Sequence, residues 1–174
     1  PNISTPQQCL RCSLLNIRIT QMIHNDVLRS VRYMLDISDN KVVEIIKLGG
    51  LDVTKEDVLT YLKKDEEEGF VRCPDEVMAH FLDGLVIFKR GKDDSRPAVK
   101  IEVPVTNNVI LKKLRVAFEL KEDDMHAILK ASEFPVSKPE LSALFRKFGH
   151  TNYRTCGDQL LRNFLKGLTL RIRG

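Results

Sequence analysis

The side chains that could do chemistry in this 174-residue chain are few and widely spaced. Its four histidines are His24, His80, His126 and His150, and none sits in an H-E-x-x-H pair. The chain carries no G-x-S-x-G elbow and no P-loop. Cys9 and Cys12 read C-x-x-C with His24 farther on, three candidate ligands where a closed zinc site needs four. A thioredoxin-like use of that pair needs a βαβ setting, which the flanking residues do not supply. Cys73 and Cys156 stand just before Asp75 and Asp158, at what reads as a helix start. The positive end of a helix there would lower a thiol pKa. The expected reading is plainer: a small, partly buried side chain, with the aspartate serving the first turn. No metal or cofactor is expected, and the chain reads as non-enzymatic.

Charge points to a different chemistry. Residues 25–91 hold 10 Lys and Arg against 14 Asp and Glu, a net of −4. Residues 108–174 hold 13 against 7, a net of +6. Only the later stretch suits phosphates, and its candidates are Lys112, Lys113, Lys138, Arg146, Lys147, Arg154 and Arg162. The segment VVEIIKLGGLDVTKEDVLTYLKK has helix-turn-helix-like spacing with glycine at the turn. DNA binding would place its second helix in a major groove, yet Asp65 to Glu68 follow that helix and would repel DNA. An ordinary helical hairpin with a solvated face explains the same spacing. Opposite charge on the two stretches also favours protein association, within one chain or head to tail between chains. A protein partner or self-association is the leading expectation, with nucleic acid second.

The elements that position these groups follow from an internal repeat. A shift of 83 residues lays 25–91 on 108–174 without a gap and with 16 identities over 67 positions. Among them are Asn25 on Asn108, Cys73 on Cys156, Asp75 on Asp158, Gly84 on Gly167 and Arg90 on Arg173. Such a register marks a tandem duplication. Each copy reads as four helices, so the expected fold is all-α, two homologous four-helix modules with helix-turn-helix-like hairpins. Val27, Leu28, Val31, Met34 and Leu35 form one stripe of a 3.6-residue period over about 25–36, and Ile110 to Phe118 repeat it over 108–119. The second helix starts at Ser38 or Lys121, and the third at the capping-box-like Thr54-Lys55-Glu56-Asp57 or Ser137-Lys138-Pro139-Glu140. The fourth runs from about Pro74 to Arg90 and from Gly157 to Arg173, and its near-continuous apolar residues make it the most buried. Gly84 and Gly167 lie inside it, where glycine costs about 1 kcal/mol relative to Ala. Their recurrence predicts that the two fourth helices cross, or that each is crossed by another helix, near these glycines.

The modules are expected at 22–91 and 108–174, joined by a linker at 92–107 with a short extended piece at Ile101–Val105. Residues 1–21 lack the pattern that follows Met22, and are expected to be a poorly ordered or non-native extension. No apolar run approaches the roughly 18 residues of a membrane span.

The segments NDVLRSVRYMLDISD, FLDGL, SALFRK and YRTCGDQLLRNFLKGL resemble the YehS-like family, small bacterial proteins with a tandem-duplicated domain of unknown function. The resemblance covers about Met22 to Arg173. It implies an all-helical cytoplasmic protein and brings no catalytic or binding residues with it.

Overall fold

In the computed structural model residues 22–97 and 100–174 are described. The expectations for residues 1–21, including the Cys9–Cys12 pair, fall outside them. The described residues form eight helices and no strand: α1 (His24–Leu35), α2 (Asp39–Leu48), α3 (Lys55–Leu62), α4 (Asp75–Arg90), α5 (Asn107–Ala117), α6 (Glu122–Ala131), α7 (Lys138–Leu144) and α8 (Asp158–Arg173). The fold is all-α with duplicated modules. Four of the eight helices begin where a Ser or Thr supplies an oxygen for the orphan N–H groups. Ser38, Thr54, Thr106 and Ser137 each accept a hydrogen bond from the backbone N–H three residues on. At α7 the box is reciprocal, since Glu140 also accepts from the Ser137 N–H at 3.0 Å. At α6 the cap residue is Lys121, and Asp124 accepts its N–H at 2.8 Å.

One core cluster fills both modules, and each apolar stripe read from the sequence faces it. Leu28, Val31, Ile45, Ile46, Phe81 and Leu82 are fully buried in the first, and Leu111, Leu114, Leu129, Leu161 and Phe164 in the second. The fourth helices do not meet each other at these glycines. Each is crossed by the second helix of its own module. A methyl group on Gly84 would lie 1.7 Å from the Ile45 carbonyl oxygen, and one on Gly49 would lie 1.8 Å from the His80 carbonyl oxygen. The backbones of α2 and α4 therefore touch at two glycines. In the second module a methyl on Gly167 would lie 2.2 Å from the Ile128 carbonyl oxygen, and Ser132 replaces Gly49. The last turn of α4 departs from the expected burial: Phe88, Lys89 and Arg90 are exposed.

The modules join through a pseudo-two-fold exchange of neighbours. The fourth helix of each packs against the first helix of the other, α4 on α5 and α8 on α1. The repeated arginines close the ends of these contacts. Arg90 pairs with Glu119 at 3.4 Å, and Arg173 reaches Asp36 at 3.9 Å, where 36 and 119 are equivalent positions. Arg173 also stacks over the Tyr33 ring at 4.2 Å and donates to the Tyr33 carbonyl at 2.6 Å. Residues 101–105 form no strand, although Val105 is buried.

Candidate functional site

The loop between the third and fourth helices is held in both modules by one buried asparagine. Asn25 donates to the carbonyls of Tyr61 (3.0 Å) and Val71 (2.8 Å) and accepts from the Cys73 N–H at 2.9 Å. Asn108 donates to Leu144 (3.0 Å) and Arg154 (2.9 Å) and accepts from Cys156 at 2.8 Å. All three amide hydrogen bonds run to backbone, so the side chain fixes the start and the end of the loop together. The identity of Asn25 and Asn108 is visible in the repeat register. Their role is not, because the partners lie 36 to 48 residues away.

In the second module this scaffold presents a groove of about 610 Å³. Val103 and Pro104 of the linker, Val109 of α5, and Leu144 and Phe145 at the end of α7 supply its apolar lining. Phe148 and Tyr153 form one wall, their rings edge to face at 80° with centroids 5.4 Å apart. Phe148 is 84% exposed, the most exposed of the large apolar side chains among the described residues. Sequence reasoning missed both rings. The usable signal was a mismatch: position 148 is Phe where the first repeat has Asp65.

Of the seven predicted cations the fold brings three to this groove, Lys112, Arg146 and Lys147. Lys112 is paired there with Glu102 at 2.9 Å. Arg146 also borders a neighbouring hollow with Arg154, which pairs with Glu140 at 3.0 Å. The Ser137 N–H and then Arg154 hold the Glu140 carboxyl below its usual range. Lys113 is a correction to the phosphate set. It is mostly buried between modules against Asp83 at 2.7 Å, because α5 packs on α4. Arg162 lies away from the groove, on α8, and donates to Gln159 at 3.1 Å. Lys138 is exposed at the first turn of α7, but that helix has only seven residues and shows Glu140 beside it. The exposed face of α3 carries Lys55, Glu56, Asp57 and Leu59. Neither third helix offers a row of cations to a groove in DNA.

A second hollow, of about 580 Å³, lies between the modules and is lined by equivalent residues of both. His24 and Asp75 meet in it at 2.5 Å, and at the equivalent positions Asn107 donates to Asp158 at 2.7 Å. Asp158 also accepts from the Met22 N–H at 3.1 Å across the module boundary. Both aspartates are thus engaged in fixing helix starts. Cys73 and Cys156 are buried beside them, and burial, with the neighbouring aspartate second, pushes each thiol up to about 12. The shift is opposite to the one an activated thiolate needs. Among the described residues no three His, Cys, Asp or Glu side chains form a cluster able to hold a metal, and no helix is long and apolar enough to cross a membrane.

Comparison with known proteins locates the repeat independently. The model of the family described as "Protein of unknown function (DUF1456)" matches residues 24–91 and again 107–174. The chain belongs to this family. A relative from the same comparisons, the uncharacterized protein YehS of Escherichia coli (strain K12), is 52% identical over 150 residues, covering 86% of this chain and 96% of that protein. No solved structure matches. The two family matches coincide with the two structural modules, and the family description assigns them no activity.

Proposed function

We propose that the chain is a non-enzymatic binding module of the bacterial cytoplasm that holds an anionic partner against its second repeat. The observation that carries this reading is the groove beside Phe148, an apolar hollow with a fully projecting aromatic ring and with Arg146 and Lys147 exposed at its rim. Apolar surface rimmed by charge is the usual make-up of an interaction site. The raised pKa of both buried thiols disfavours a thiolate nucleophile at Cys73 or Cys156. Two unbridged buried cysteines suit a reducing compartment.

Nucleic acid is the second reading of the same groove, favoured by rings standing next to cations. The test is a titration with anionic probes: oligo-dT, polyglutamate, and acid-rich peptides with and without an aromatic residue. At least one should bind at about 50 mM salt, weaken at higher salt, and be lost in the double variant Arg146→Glu, Lys147→Glu. No binding by any of them would sink the reading.

A further inference from the structure

We infer that the groove seats a short acidic peptide segment carrying an aromatic or aliphatic anchor, supplied by another protein; this rests on the binding reading above and names its partner. Four observations bear on the chemistry. The lining is aliphatic, with Val103, Pro104, Val109 and Leu144, which suits insertion of an apolar side chain. Phe148 and Tyr153 are edge to face and not parallel tiers, so they offer one open ring face and no ladder for successive bases. A nucleic-acid backbone needs a track of cations, yet Lys113 and Arg154 are held by Asp83 and Glu140. Glu102 sits inside the groove on Lys112, which leaves the anion contacts to Arg146 and Lys147 at the rim.

What remains for an anion is local, Arg146 and Lys147 beside the exposed ring, enough to meet one or two carboxylates flanking an anchor. A hollow of about 610 Å³ accepts a few side chains, the footprint of one anchor and its neighbours. Extended segments that dock through one anchor and a few flanking contacts match such a site. This chain itself carries a segment of that composition, DEEEGFV at residues 65–71, which provides a defined probe.

The experiment titrates the full chain into a fluorescein-labelled DEEEGFV peptide, into the same peptide with Ser in place of Phe, and into labelled oligo-dT. Saturable, salt-sensitive binding of the first is expected, with at least a tenfold loss on changing Phe to Ser in the peptide. Phe148→Ala in the protein should cost about tenfold as well, the loss of one aromatic ring that the bound peptide would cover. That variant should melt with wild type, since the ring is exposed. Equal binding of the two peptides, or no saturable binding to about 1 mM, overturns the inference. Tighter binding of oligo-dT, lost in the double variant Arg146→Glu, Lys147→Glu, overturns it while leaving the binding reading intact. A salt-sensitive oligomer of the wild-type chain, dispersed by Phe148→Ala, also overturns it, because the occupant is then a second copy.

Discussion

The loops at 63–73 and 146–156 are one backbone design with two surfaces. Glu67 donates to the Lys64 carbonyl at 3.0 Å, and the equivalent His150 donates to Lys147 at 3.0 Å. Phe70 donates to Glu67 at 3.2 Å and Tyr153 to His150 at 2.9 Å. Val71 donates to Thr60 at 3.3 Å, and Arg154 to Ala143 at 3.1 Å. The asparagine then closes each loop from beneath. On this common frame the first module displays Asp65, Glu66, Glu67 and Glu68, and the second Phe148, Gly149, His150 and Thr151. Within these shared hydrogen bonds the backbones differ at two positions: Gly149 takes φ +88° where Glu66 is not at positive φ, and Gly69 takes φ +80° where Asn152 is not. Duplication kept what holds the loop and released what the loop shows. Hydrogen bonds to buried backbone are expensive to lose, whereas exposed side chains change at little cost to stability.

The comparison breaks most severely at the helix crossings. Gly84→Ala forces a methyl into the Ile45 carbonyl and should cost about 3 kcal/mol or more. Gly167→Ala should cost less, because its nearest contact, again a backbone carbonyl oxygen, is longer at 2.2 Å than the 1.7 Å at Gly84. Denaturant melts of the two variants give the order. A Gly84→Ala chain as stable as wild type would refute the backbone contact.

Next come the clamps. Asn25→Ala and Asn108→Ala each strand two carbonyls and an N–H, for about 2 to 3 kcal/mol. Near-equal losses are expected, with only Asn108→Ala also weakening ligand binding in the groove it borders. A large inequality in stability would show that the clamps are not equivalent.

The thiols give a pH test. Both are raised from an ordinary 9 to about 12 in the folded chain. Between these values the unfolded chain gives up protons that the folded one keeps, so stability is intact below pH 9 and falls as pH rises toward 12. Cys73→Ala and Cys156→Ala should each flatten that fall by a similar amount in melts at stepped pH. An unchanged slope in the double variant would show that the thiols do not titrate this way.

The smallest effect belongs to the surface. Exchanging the first loop for the second (Asp65→Phe, Glu66→Gly, Glu67→His, Glu68→Thr) should cost no more than about 1 kcal/mol, because all four positions are exposed and only Glu67 bonds the loop backbone, accepting the Lys64 N–H at 3.2 Å. A loss comparable to that of the asparagine variants would mean that the acids help to hold the loop.

The order and extent of the helices were legible in the chain because they rest on local causes. Periodicity sets the faces. Ser38, Thr54 and Ser137 set the starts, and the 83-residue register carries each assignment into the second copy. The glycines were legible as a close approach but not as to which helix approaches. The site was legible only as seven cations on a basic module. Tertiary structure sorted them, since it alone decides which charges meet. Packing of α5 on α4 gives Lys113 to Asp83, the linker brings Glu102 to Lys112, and the clamped loop sets Phe148 and Tyr153 beside Arg146 and Lys147. A sequence fixes charges and periods residue by residue. Whether a cation is spent on a neighbour or left at the rim of a groove depends on contacts between residues far apart in the chain.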